Sequence, residues 1–256
     1  MAARNIVDLH SHILNGWRQT DESLHQALAM AEAAAHLGVT AAVATLNIRT
    51  LEDACDRSTA IPVIVRWFQE ELDSRDIPLT VFPGAELEPG RYIVTALKRL
   101  ASVTLAATRR YVLLETNESS LGLLPWTIGQ LNALGFHAVL ANPERAKPFQ
   151  DNAQAVSEMV NSGALVQVAA ASLAAPQNAR VWLTVRRLLE LEAVHFIATG
   201  TPPQETSYAD MLQAVEAAAD IVGEEEAWRL VTDNPDKVLR GDPFTSHEVE
   251  AAQATP

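Results

Sequence analysis

Residues 5–45 read NIVDLHSHILNGWRQTDESLHQALAMAEAAAHLGVTAAVAT. Two short apolar runs, Ile6–Leu9 and Thr40–Thr45, flank a stretch of different periodicity. Between Ser23 and Leu37, the residues Leu24, Leu28, Ala31 and Ala35 recur at the spacing of one helical face, which predicts an amphipathic helix. Asp21 stands where an N-cap belongs, and Gly38 where a left-handed residue ends a helix. Strand, helix, strand is a βαβ unit, whose helix carries the chain back so that the two strands run parallel.

The unit repeats to the end of the chain. Further strand signals lie at Leu79–Phe82, Tyr111–Leu114, Ala138–Ala141, Leu165–Val168 and Val194–Ala198, for seven in all. Helical patterns cover Leu51–Asp73, Tyr92–Leu100, Trp126–Leu134, Asn152–Asn161, Val181–Leu191, Ala209–Val222 and Glu225–Val231, with Gly135 and Gly163 as further stops. Such alternation gives a closed barrel or an open doubly wound sheet. No G-x-G-x-x-G or Walker-type loop follows a strand, which favours the α/β barrel over a nucleotide-binding open sheet. Residues 1–241 are expected to form one barrel domain and residues 242–256 a frayed tail.

Lysine and arginine total 19 against 32 acidic residues, a formal charge of -13. That balance repels phosphate backbones and anionic lipid, so nucleic acid and membrane insertion are not expected. One cysteine, Cys55, excludes an internal disulfide and a cysteine-rich zinc cluster. There is no secretory signal pattern at Met1–Asn5 and no long apolar run, so a cytoplasmic protein is expected. Oligomeric state is left open.

In a parallel barrel, side chains just beyond the strand C-terminal ends share one pocket. Those positions hold His10 and His12, Asn47, Glu86, Glu115, Asn142, Glu144, Arg145 and Gly200. His10 and His12, two apart at a strand end, point to the same side. Two histidines and a glutamate are a ligand set for a catalytic zinc with an open position. The bland alternatives are solvated histidines, and an ion pair of Glu86 or Glu115 with Arg145 or Arg18. Cys55 is followed six residues later by Ile61 and not by an arginine, and no G-x-S-x-G elbow is present. Phosphoester or hydrolytic chemistry would therefore rely on metal.

Several motifs in register carry a resemblance. Asp8-Leu9-His10-Ser11-His12-Ile13-Leu14, then Glu22-Ser23-Leu24 and Met30-Ala31, resemble the opening of the polymerase-and-histidinol-phosphatase (PHP) superfamily, and specifically of its metal-dependent tyrosine phosphatases from capsule operons. Ala44-Thr45, Pro83-Gly84-Ala85-Glu86, Leu113-Leu114-Glu115, Asn142-Pro143-Glu144-Arg145, the strand Val194–Ala198 and Asn234-Pro235 continue the likeness to about residue 241. The resemblance implies a distorted seven-stranded TIM-like barrel that hydrolyses phosphotyrosine on a protein partner such as a bacterial tyrosine kinase tail. It makes His10, His12, Glu86 and Glu115 metal ligands and Arg145 the phosphate clamp, with Glu115 and Arg145 in support of catalysis.

The chain also departs from that pattern. Arg18 and Gln19 align with the family's paired aspartates, Asn47 and Asn142 with two histidines, and Gly200 and Pro202 with the aspartate and histidine of S-D-A-H. Such a site implies one divalent ion (manganese, zinc or iron) or none, with Arg18 supplying substitute positive charge to an anion pocket. The alternative function is a catalytically silent relative that binds a phosphotyrosine partner and regulates exopolysaccharide production; a third is hydrolysis of another small phosphoester.

Overall fold

The computed structural model describes residues 5–14, 21–97, 100–119, 121–175, 178–200 and 208–244. The apolar runs become seven strands: β1 Ile6–Ser11, β2 Val39–Ile48, β3 Thr80–Leu87, β4 Tyr111–Glu115, β5 His137–Ala141, β6 Leu165–Ala169 and β7 Phe196–Ala198. Every neighbouring pair is parallel, in the order β1-β2-β3-β4-β5-β6-β7.

The helices are α1 Asp21–His36, α2 Leu51–Asp73, α3 Tyr92–Leu97, α4 Leu124–Ala133, α5 Lys147–Asp151, α6 Gln154–Asn161, α7 Ala170–Ala174 and α8 Ala179–Glu190. They end with α9 Ala209–Val222, α10 Glu224–Arg229 and α11 Asp233–Arg240.

Alternation along each strand divides the core in two. Val7, Leu9, Val43, Leu113 and Val139 fill the barrel interior. Ile6, Ala42, Val112, Leu140 and Val166 face outward and bury the apolar stripes of the helices. The interior is thus a packed core and not a pore.

Seven strands nearly close the barrel, and the seam between β7 and β1 is bridged in two ways. Below, the carbonyls of Val231 and Leu230 accept from the amides of Val7 (2.8 Å) and Ile197 (3.0 Å). Above, Gly200 N donates to the His10 carbonyl at 2.8 Å. The Asp8 carboxylate there accepts from Thr199 N at 3.1 Å, Thr199 Oγ1 at 2.6 Å and His10 N at 3.2 Å. Asp8 is fully buried, so the first residue of the D-x-H-x-H motif serves as a clasp across the seam.

Three expectations are corrected. The strands β2 and β3 run on through Asn47 and Glu86, beyond the predicted ends at Thr45 and Phe82. Pro83 reads as a terminator, yet it lies where β3 is paired with β2 but not with β4, whose register begins at Glu86, so its missing N–H breaks no ladder on that side. Asp21 opens α1 within its first turn instead of capping it. The expected fraying from residue 242 does not begin there: Tyr111 Oη donates to the Asp242 carbonyl, and Phe244 is buried edge-on against Tyr111 and Phe196 at the lower end of the barrel. The remainder of the tail, 245–256, lies outside the described residues.

Candidate metal centre

The H-x-H pair reaches the barrel interior because β1 carries a bulge. Val7 and Leu9 point inward, and strict alternation would next turn Ser11 inward and His10 out. The register to β2 shifts between Asp8, opposite Ala42, and Ser11, opposite Ala44. That extra residue resets the parity. His10 then faces Glu86 and Gln167 across the mouth, while Ser11 Oγ bonds Tyr208 Oη at 2.9 Å on the helix side.

Among the described residues, His10, His12 and Glu86 are the one group of three ligand-type side chains whose donor atoms lie within 4.8 Å of one another. All three are buried. His10 Nδ1 bonds Gln167 Oε1 at 2.8 Å, and His10 Nε2 stands 3.5 Å from Glu86 Oε2. His10 Nε2 and His12 Nδ1 are buried without a hydrogen-bond partner. Buried polar nitrogens without partners are costly, and two imidazoles with a carboxylate form a donor set suited to a divalent ion. Asn47 Oδ1 is likewise buried and unpartnered.

The electrostatics of the three groups are coupled. Burial works to lower the affinity of His10 for its proton, but the Glu86 carboxylate and the Gln167 hydrogen bond reverse this, and the net direction is upward. Burial works to raise Glu86, and the facing His10, then His12 and Arg49, turn it downward. His12 is lowered to about 4 by burial and by neighbouring His10. The Glu86 carboxylate is thus favoured in its charged form beside His10, while the His12 imidazole stays neutral and ready to coordinate.

Glu115 is half-buried at the end of β4, its carboxyl raised by burial and by the nearby Glu86 charge. Glu86, Glu115, Asn117, Asn142 and Arg145 line a cavity of about 290 Å³. The structure therefore brings His10, His12 and Glu86 into one ligand group, and Glu115 and Arg145 to the rim of the same mouth. Arg18 lies outside the described residues. Glu86 faces His10. Glu144 is turned inward, where its Oε1 accepts from Ala169 N at 3.0 Å and Ser172 Oγ at 2.8 Å at the start of α7. A larger cavity of about 930 Å³ opens at the opposite, N-terminal ends of β1, β2 and β3, away from the ligand group.

Two residues escaped the sequence reading. Arg49, just past β2, is close enough to lower both Glu86 and Glu115; its signal was a cation two positions beyond Asn47. Gln167 interrupts the apolar strand Leu165–Ala169, and a polar residue there marks something to be bonded inside the barrel.

Residues 6–240 match the family described as capsular polysaccharide synthesis, CpsB/CapC. The chain is 26% identical over 240 residues to the tyrosine-protein phosphatase YwqE of Bacillus subtilis, covering 92% of each. It is 23% identical over 245 residues to the tyrosine-protein phosphatase CpsB of Streptococcus agalactiae, covering 92% of this chain and 98% of the relative. Its fold matches a chain from the crystal structures of YwqE from Bacillus subtilis and CpsB from Streptococcus pneumoniae, metal-dependent tyrosine phosphatases. The TM-score is 0.81 at 22% identity, covering 94% of this chain and 96% of the other.

Proposed function

The chain belongs to the CpsB/CapC family of capsular polysaccharide synthesis, and from that premise we propose that it hydrolyses phosphotyrosine on proteins with one divalent ion held by His10, His12 and Glu86. The observation that carries this is the buried group of His10, His12 and Glu86 at the barrel mouth, in which one nitrogen of each imidazole has no hydrogen-bond partner. When bound, the ion supplies Lewis-acid charge for a phosphoryl oxygen and lowers the pKa of water. Manganese, zinc and iron all accept two imidazoles and a carboxylate.

The chain's own groups do the rest. Arg145 holds the non-bridging phosphoryl oxygens with its planar fork, and Arg49 adds positive charge on the β2 side. Glu115, whose carboxyl is shifted upward by burial and by Glu86, is placed in the cavity to pass a proton to the departing tyrosine oxygen. The substrate is a phosphotyrosine-bearing protein, with the tail of a bacterial tyrosine kinase as the specific candidate. No helix among the described residues is long and apolar enough to cross a membrane, in keeping with a reaction in the cytoplasm.

A second reading, a partner-binding protein without turnover, is favoured by one observation. Neutral Asn142 and Gly200 stand beside the ligand group, where the family resemblance would place further ligands for a multi-ion cluster. Replacing His12 with alanine separates the readings. In a metal-dependent phosphatase, His12→Ala loses both bound metal and phosphate release from a phosphotyrosine peptide while unfolding within a few degrees of wild type. Activity that survives the substitution or excess chelator overturns the site. A wild-type protein that binds the peptide and never releases phosphate is the silent relative.

A further inference from the structure

Gly200, Asn142, Gln167 and His10 are joined by hydrogen bonds in an unbroken row. Asn142 Nδ2 donates to the Gly200 carbonyl at 2.6 Å, Gln167 Nε2 donates to Asn142 Oδ1 at 2.9 Å, and Gln167 Oε1 meets His10 Nδ1 at 2.8 Å. The direction of the row is set at one end. A backbone carbonyl can only accept, so Asn142 must present its NH₂ to Gly200 and its oxygen to Gln167. Gln167 must then present its own NH₂ to Asn142 and its oxygen to the imidazole. An oxygen facing Nδ1 requires a proton there, so the neutral imidazole, which is the form that binds metal, turns its Nε2 lone pair toward Glu86 and His12.

We propose that Asn142 and Gln167 form a polarised amide relay, anchored on the Gly200 carbonyl, that holds His10 as the Nδ1–H tautomer and so positions Nε2 as a metal ligand. The inference rests on the metal site argued above. It makes Asn142 and Gln167 positioning residues: Gln167 acts through His10, and Asn142 acts through Gln167.

Gly200 is part of the device. A Cβ at that position would sit 2.7 Å from Asn142 Oδ1 and 2.9 Å from Gln167 Nε2. Its backbone is also left-handed, with φ +57°, a region that favours glycine. Any side chain at 200, an aspartate included, would displace the amides that orient His10. Asn142 is itself held left-handed, at φ 50°, a conformation asparagine tolerates better than most residues. Asn142 and Gly200, which stand where the family resemblance would place ligands, are therefore fitted to each other and to Gln167, and their joint product is a fixed tautomer at the remaining site.

The test is titration of the full chain with zinc ion alone, by calorimetry, for wild type, Gln167→Leu, Gln167→Glu and Asn142→Leu. Loss of the oxygen in Gln167→Leu should weaken zinc binding by about 10- to 100-fold, the usual range for an outer-shell partner of a metal-bound histidine. Gln167→Glu keeps an acceptor for Nδ1 and should bind at least tenfold more tightly than Gln167→Leu. Asn142→Leu never touches the ring, yet it frees the Gln167 amide to flip, and should weaken binding at least several-fold. Nitrogen-15 NMR of zinc-loaded wild type needs no variant, and should find His10 protonated on Nδ1 and ligated through Nε2. Equal affinities across all four folded proteins, or ligation through Nδ1, would overturn the relay while leaving the metal site intact. Wild-type protein that binds no zinc defeats the metal site, and the relay's role with it.

Discussion

At the level of single residues, the barrel mouth holds buried charge in different states for different purposes. Glu86 is drawn downward by His10 and His12, whereas Glu144, fully buried, is pushed upward by desolvation despite hydrogen bonds from Ala169 and Ser172. Its Oε2 has no hydrogen-bond partner among the described residues, and the nearby Arg145 charge does not offset the desolvation. The consequence for stability has a definite sign. A carboxyl whose folded-state pKa is raised binds its proton more tightly folded than unfolded. Its contribution is therefore full below the ordinary value of 4.5 and is lost as pH rises through the folded value. Glu144→Gln removes that titration. Denaturant unfolding followed upward from pH 4.5 should show wild-type stability falling more steeply than that of the variant. Parallel curves would mean that Glu144 is charged in the folded protein, against the upward direction assigned to it.

At the level of elements, the order and kind of strands were legible because parallel strands buried on both faces read as short apolar runs. Their ends were not. Pro83-Gly84 looks like a turn, but these residues belong to β3, and Gly84 is there because β3 passes close to β2. A Cβ on Gly84 would lie 2.5 Å from Val43 Cγ1, inside the barrel. Gly84→Ala is expected to cost about 1–3 kcal/mol by overpacking, measured by chemical denaturation, and Val43→Ala in the same chain should recover part of it. No loss in the single variant would contradict the close approach. The helix α11 escaped notice because its polar sequence carries a proline, although Pro235 falls in the first turn, where it is tolerated. His10, His12 and Glu86 could be nominated from spacing and strand position. The bulge that turns the histidines inward could not, since it depends on pairing with β2. Nor could the Gly200–Asn142–Gln167–His10 row, whose members come from four strand ends and meet only when the barrel closes.

At the level of the whole molecule, one topology explains why these groups meet. Seven parallel strands in sequential order, clasped at the seam by Asp8 and Thr199, deliver every strand C-terminus to the same mouth. The chain carries a formal charge of -13, so an anionic phosphoester must be received by local positive charge. On the proposed reading, Arg145 and Arg49 supply part of it, and an ion on His10, His12 and Glu86 supplies the rest. On the same reading, the neutral residues Asn142 and Gly200 limit the mouth to that one ion. The most direct measurement is a titration of metal-stripped protein with manganese or zinc in which bound ion and phosphate release from a phosphotyrosine peptide are followed together. A one-ion phosphatase gives turnover that rises with metal and levels off at one equivalent per chain. Turnover that keeps rising to two or three equivalents, or that is unchanged when the metal is removed, contradicts it.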